Sequence, residues 1–299
     1  MKQLEIYHID AFTDVSFGGN PAGVIPEAGS LTTEEMQKIA GELNLPESVF
    51  LLPPSRPDAD YRVRYFTPTE EINFCGHATV ALSWLLAEKY GYLEKGDRVA
   101  LETNVGLVPV EWIIENNRLA RVSMTQLPPR TQEIDISIER VAELVGIHPG
   151  DVDDRYPIRL GSTGNWHLFV PVRTRSAIDS ATPQLKELGR MNKELQVSTT
   201  HLFTFDMHGE FDLYTRDFAP AIGIAEDPVT GAANGALAGY LYLEGILPEM
   251  EQTRLKVGQG HAIGRPGTLY ITVTPQETAP RIEVAGSAVI TIEGLITIR

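Results

Sequence analysis

The chain has 299 residues, 42% apolar and 22% charged, enough for one large domain or two ordinary ones, and this usage excludes disorder, collagen and low complexity. Its 25 Lys and Arg face 40 Asp and Glu, a formal charge of -15, which repels polyanions and sets aside nucleic acid and anionic membrane surfaces as partners. The single cysteine, Cys75, forbids an intramolecular disulfide and points to a reducing compartment. No secretory leader is read at the start, and the longest mainly apolar run, 78–87, is half of the roughly 20 residues that cross a bilayer, so a soluble, cytoplasmic protein is expected.

In chain order, residues 4–12 alternate loosely and read as a strand ending in a turn-rich stretch over 14–22. Thr32 and Glu35 form a capping box ahead of Met36, Ile39, Ala40 and Leu43 at helical spacing, and Asn44 with Pro46 stops that helix. Glu47-Ser48 is read as the turn that follows, with a strand from Val49 to the Pro53-Pro54 pair and another over 62–66. Residues 76–90 are apolar on nearly every face, the mark of a helix buried all round. Strands then dominate, at 98–102, 106–114, 119–124, 168–172, 201–205, 211–214, 267–273, 281–284 and 289–292. A short helix over 135–144 and a second apolar helix over 231–243 interrupt them. Without regular β-α alternation a doubly wound parallel sheet is disfavoured.

An internal repeat organises these elements. Glu71, Gly76 and Ala78 coincide with Glu226, Gly231 and Ala233 at an offset of 155 residues, and Ala81-Leu82 falls on Ala236-Leu237. Upstream, Phe66-Thr67-Pro68 faces Phe218-Ala219-Pro220, and Gly19-Asn20-Pro21 faces Gly164-Asn165-Trp166. Three anchors in the same order predict two similar lobes, each with a central apolar helix wrapped by strands, whose helix starts at Gly76 and Gly231 face one cleft.

Both helices open with small residues, Gly76-His77-Ala78 and Gly231-Ala232-Ala233. Glycine there serves either close packing or access to the first backbone N–H groups, and the duplication favours access: two such ends hold a small carboxylate by N–H donors and helix dipoles. An anion or ordered water is accordingly expected between the two helix starts. His77, second in its helix, is expected as a neutral ring suited to proton exchange. The other histidines, His8, His148, His167, His201, His208 and His261, show no ligand-like spacing, so no metal is expected. Glu47 beside Val49 and Phe50 is either partly desolvated, with a useful pKa, or simply solvated in its turn. Asp227 either caps the turn before Gly231 or faces the cleft. Cys75 and His77, at i and i+2, are not expected to face each other, which favours an inert buried thiol over a nucleophile. No Gly-x-Ser-x-Gly, phosphate loop or His-Glu-x-x-His occurs, and Gly258-Gln259-Gly260-His261 lacks the third glycine of a dinucleotide site.

With these residues in hand the chain resembles the phenazine biosynthesis PhzF-like family, within the diaminopimelate epimerase superfold. The resemblance runs through His8-Ile9-Asp10-Ala11-Phe12, Gly18-Gly19-Asn20-Pro21-Ala22-Gly23, Leu45-Pro46-Glu47-Ser48, Phe74-Cys75-Gly76-His77-Ala78-Thr79, Phe218-Ala219-Pro220, Glu226-Asp227-Pro228-Val229-Thr230-Gly231 and Gly264-Arg265-Pro266-Gly267. It implies an α+β fold of two pseudo-symmetric lobes, each an antiparallel, barrel-like sheet around a central helix. The lobes would be 1–124, with 285–299 returning, and 125–284, and the active site would lie between them. It implies an isomerase that needs no cofactor and moves a proton between carbons of a small unsaturated acid, with Glu47 as the proton-transferring residue and His77 and Asp227 assisting. Asn20, Gly76, Ala78, Gly231, Ala232 and Ala233 are the expected substrate contacts. The partner expected is a small anionic metabolite, and a homodimer is the assembly the resemblance implies. At Ala232 phenazine-pathway members tend to have serine; alanine keeps the N–H and loses a hydroxyl. Epimerases of the superfold use two cysteines at the helix starts, where His77 and Ala232 stand here, so two-thiol racemisation is excluded. The rival readings are a catalytically idle binding protein and a Cys75 hydrolase.

Overall fold

The computed structural model describes residues 2–207, 209–248 and 250–298. It divides into two compact units, Met1–Met124 with Ala285–Arg299, and Thr125–Val284. Six α-helices and 18 strands occur among the described residues. No described helix is long and apolar enough to cross a membrane.

The first unit opens with β1 (Lys2–Ala11), β2 (Asn20–Ile25), α1 (Thr33–Leu43), β3 (Glu47–Leu52), β4 (Tyr61–Phe66) and β5 (Glu71–Ile72). It continues with α2 (Gly76–Lys89), β6 (Arg98–Thr103), β7 (Gly106–Glu115) and β8 (Arg118–Thr125). The second unit holds β9 (Arg130–Glu133), α3 (Ile138–Val145), β10 (Arg159–Ser162), β11 (Trp166–Pro171), α4 (Arg175–Ser180), α5 (Leu185–Glu194) and β12 (Thr199–Thr204). Then come β13 (Leu213–Ala219), β14 (Ile224–Asp227), α6 (Gly231–Leu243), β15 (Thr253–Gln259), β16 (Gly267–Thr274) and β17 (Arg281–Gly286); β18 (Ala288–Ile298) returns to pair with β1 along its whole length.

The ladders are mixed rather than purely antiparallel. β2 pairs parallel with β3 and β4 with β6, and in the second unit β11 pairs parallel with β12 and β13 with β15. Helix supplies the reason, because a parallel pair needs a long crossover. α1 joins β2 to β3, α2 lies between β4 and β6, α4 and α5 join β11 to β12, and α6 lies between β13 and β15.

α1 follows the expected logic: Thr32 accepts from the Glu35 N–H, the Glu35 carboxylate accepts from the Thr32 N–H, and Asn44 closes the helix in the left-handed conformation. Such a cap is worth about 1 kcal/mol. Met36, Ile39 and Ala40 then pack with Leu4, Ile25, Phe50 and Phe66. α2 and α6 are buried almost all round. In α6 Gly235 and Gly239 are packing residues, since an added Cβ would lie 3.0 Å from Val284 Cγ2 and 2.3 Å from Pro129 Cβ, respectively.

β2 departs from expectation. The stretch 14–22 reads as turn, yet the strand begins at Asn20, because β2 lies between β1 and β3 and is buried on both faces. There Ala22 and Gly23 are small for lack of room: a Cβ on Gly23 would meet Ser48 Oγ at 2.7 Å. β9, β10, α4, α5 and β15 are further elements that periodicity alone did not bring out.

Candidate active site

In the first unit three side chains meet at the start of α2. Glu47 opens β3, opposite Ala22 of β2, and is not in the turn expected for it. Parallel pairing with β2 draws the strand back to Glu47, leaving only Asn44 to Pro46 as the connection. Cys75 is the N-cap of α2 with extended backbone (φ -142°, ψ 118°), and His77 is the second helical residue. His77 Nε2 lies 3.2 Å from Glu47 Oε2, with the two side chains 9% and 14% exposed. The approach is ionic: Oε2 is buried and makes no hydrogen bond. Cys75 Sγ lies 3.4 Å from His77 Nδ1. The expectation that residues 75 and 77 do not face each other fails because the i, i+2 rule holds within a helix, and Cys75 is outside it.

Charge at this cluster is set by burial and pairing. Burial pushes the Cys75 thiol up, as does the nearby Glu47 carboxylate. Burial also works against charge on His77, but the Cys75 sulfur and the Glu47 carboxylate outweigh it and hold the imidazole well above its ordinary value. This corrects the neutral ring expected from the helix dipole, an effect of about 0.3–1 kcal/mol that a carboxylate 3.2 Å away exceeds. Glu47, Cys75 and His77 also bring donor atoms within 4.8 Å of one another, a set able to ligate a metal.

Neither Cys75 nor Thr230, the N-cap of α6, makes a side-chain cap hydrogen bond. At Gly76 an added Cβ would meet nothing nearer than Met124 Cε at 3.9 Å. Close packing therefore does not explain that glycine. Ala78 is fully buried behind it, and Asn20 is fully buried at the start of β2, two residues before the partner of Glu47.

In the second unit Gly231 and Ala233 are buried and Ala232 half-buried at the start of α6. Asp227 ends β14 directly opposite Asp217 of β13. Thr230 Oγ1 lies 2.9 Å from Asp217 Oδ2 and also hydrogen-bonds Asp227 Oδ2. Asp217, fully buried, accepts from Thr199 Oγ1 at 2.6 Å and from His201 Nδ1 at 2.8 Å. Gln259 braces the group: Nε2 donates to Thr230 Oγ1 and to the Asp227 carbonyl, while Oε1 accepts from the Thr230 N–H and from Asn234.

The elements thus bring Glu47 together with His77 in one unit and gather a polar network behind Asp227 in the other. Asp217, Thr230, Asn234 and Gln259 went unseen in the sequence; the available signal was polar residues at Thr215 and Asp217 inside a strand buried throughout. His167 and His201 stand 34 positions apart in the chain, a spacing that hides the β11–β12 register pairing His167 with Thr199. Among the other histidines, His8 contacts Asp10, His148 caps Gly150 and His261 packs on Phe211 and Tyr214. His208 lies outside the described residues.

The family model described as phenazine biosynthesis-like protein matches residues 9–294. The chain belongs to this PhzF family. It is 38% identical over 292 residues to an uncharacterized isomerase of Deinococcus radiodurans, covering 96% of this chain and 92% of the relative. It is 32% identical over 287 residues, 96% of both chains, to the trans-2,3-dihydro-3-hydroxyanthranilate isomerase of Pseudomonas aeruginosa. The structure is similar to a crystal structure of a PhzF-family protein from Bacillus anthracis, with a TM-score of 0.90, 34% identity and full coverage of both chains. With these PhzF relatives the chain is an enzyme of the isomerase class.

Proposed function

We propose that this PhzF-family isomerase moves a proton between carbons of a small unsaturated carboxylic acid by general acid–base catalysis, without a cofactor, and that Glu47 is the residue that takes and returns the proton. The observation that carries the reading is the buried Glu47 Oε2, 3.2 Å from His77 Nε2 and engaged by no hydrogen bond. A carboxylate oxygen shielded from water but not consumed by a donor is free to accept a proton from carbon. The adjacent imidazolium stabilises its charged form before transfer and can lend a proton afterwards. The first N–H groups of α2, at Gly76 and Ala78, and of α6, at Gly231, Ala232 and Ala233, are assigned to the substrate's carboxylate. Asn20 contributes its amide, and Asp227 serves as a second acid or base. Alanine at 232 leaves the N–H but no hydroxyl, which favours an acid that needs one polar contact fewer there than a serine-bearing relative supplies. At short range these contacts outweigh the net charge of -15, because distant acids are screened over a Debye length of roughly 8 Å at physiological salt.

The test is deuterium exchange at carbon, followed by NMR in heavy water, over a panel of small unsaturated acids that includes trans-2,3-dihydro-3-hydroxyanthranilate. Exchange with the wild-type chain and its loss in Glu47→Gln are expected. Exchange that survives Glu47→Gln overturns the assignment of Glu47, and no exchange across the panel favours a binding protein. If thiol alkylation abolishes exchange and Cys75→Ala does the same, the thiol is the chemical group instead.

A further inference from the structure

Among the described residues, Glu47, Cys75 and His77 are the one set of three His, Cys, Asp or Glu side chains whose donor atoms all lie within 4.8 Å of one another. The chain has 40 acidic residues and 7 histidines, so single donors are plentiful and their convergence is the work of the fold. Glu47 opens β3, Cys75 stands before α2 with extended backbone, and His77 belongs to the first turn of that helix. Glu47 Oε2 is buried and makes no hydrogen bond. The ring nitrogens of His77 meet only Cys75 and Glu47 among the described residues.

The spacing suits one small cation. In a tetrahedral zinc site, bonds of about 2.0–2.2 Å to nitrogen and oxygen and about 2.3 Å to sulfur put neighbouring ligand atoms roughly 3.4–3.6 Å apart. Here Glu47 Oε2 lies 3.2 Å and Cys75 Sγ 3.9 Å from His77 Nε2, so small side-chain shifts bring the three atoms onto three corners. Nitrogen, thiolate and carboxylate are donors that zinc takes, whereas calcium and magnesium are held by oxygen. Ligation uses the thiolate and an imidazole lone pair, so the cation takes the place of protons on these groups. The α2 dipole opposes positive charge at its start, but by a factor of only about two to five in affinity. A thiolate and a carboxylate bonded directly to the cation exceed that. Three protein ligands leave the fourth corner to water.

We propose that Glu47, Cys75 and His77 form a binding site for one zinc-class divalent cation, and that the bound cation switches the enzyme off by engaging the carboxylate oxygen that takes the proton. The switch rests on the function proposed for Glu47; the binding does not, and it can be read without turnover.

Cobalt(II), titrated into the full chain, is the probe. A tetrahedral cobalt–thiolate bond gives a strong near-ultraviolet charge-transfer band, and Cys75 is the only cysteine that can supply it. The band should saturate at one equivalent, and zinc should displace it. Cys75→Ala should abolish the band, and Glu47→Gln and His77→Gln should each weaken binding about tenfold or more. His148→Gln, at an exposed histidine, should change nothing. Cobalt bound without a thiolate band overturns the site, and so does a band that keeps full affinity in Glu47→Gln and His77→Gln. In the exchange assay zinc should abolish turnover over the range in which it binds, and a chelator should restore it. Full exchange with zinc bound overturns the switch. A thiolate band with no exchange on any acid defeats the functional proposal alone. Exchange that is lost in Glu47→Gln, with no band in the wild type, defeats only the site, so the two failures are distinguishable.

Discussion

The starts of α2 and α6 use the same backbone device and distribute charge in opposite ways. At α2 the titratable groups stand on the helix start itself: Cys75 caps it, His77 is its second residue, and Glu47 reaches it from β3. At α6 the helix start is Gly231-Ala232-Ala233, and the charge stands behind it, in Asp217 and Asp227 on β13 and β14, joined by Thr230. A cation at a helix N-terminus works against the dipole, so His77 is held up by its buried neighbours Cys75 and Glu47. An anion there works with the dipole, and Asp217 adds to it a fully donated hydrogen-bond set. The first start therefore carries a buried pair of titratable side chains, and the second has its charge on the strands behind it.

Breaking the pair should have the largest effect. Glu47→Gln should lower carbon-bound exchange by roughly 100- to 10,000-fold, with little change in the urea midpoint, since the amide keeps the size of the side chain. Exchange reduced less than about tenfold would show that the pair is not the proton-transferring unit.

The polar network behind α6 should reveal itself in acid. His167 is buried neutral, its folded pKa near 4 lying below its ordinary value of 6.5. Its contribution is therefore complete above about pH 6.5 and is lost as the pH falls toward 4, because the unfolded chain takes up the proton first. The loss across that window should reach about 3 kcal/mol. Urea unfolding at pH 7 and pH 5 should show a steeper drop for the wild type than for His167→Asn; equal slopes would mean that His167 is not held neutral.

The pair at α2 should show the opposite sign. His77 has a folded pKa raised above its ordinary value, so its contribution is fully present below about pH 6.5 and disappears as the pH rises through the folded value. His77→Gln should cost about 2 kcal/mol at pH 6, with the gap to wild type narrowing in alkali. A gap that widens above neutrality would reverse the assignment of the charge.

The smallest effect separates the glycines of the two helices. Gly239→Ala forces a Cβ to within 2.3 Å of Pro129 and should cost about 1–2 kcal/mol. Gly76→Ala makes only an ordinary contact with Met124 and should stay within about 0.5 kcal/mol. Comparable midpoints for the two variants in thermal unfolding would contradict the packing reading of α6.

Much of this was legible in the chain. The capping box at Thr32 and Glu35, the stop at Asn44, and the two apolar helices starting at Gly76 and Gly231 are local or periodic signals, and the structure has each in place. Glu47 and His77 were also legible, but not as a pair: their contact spans 30 positions and depends on β3 lying parallel to β2. Asp217 was not legible at all, because in sequence it is one aspartate among many in a strand, and its burial follows from β12, β14 and β15 hydrogen-bonding to the strand it sits on.

By itself the sequence determined the helices, their caps, most strands and the family, because these rest on neighbours within a few positions or on motifs read in order. Tertiary structure alone decided the charges. A pKa answers to burial and to groups within a few ångströms, so the raised imidazole of His77, the raised thiol of Cys75 and the lowered values of His167 and Asp217 came into being only when strands distant in the chain were laid side by side.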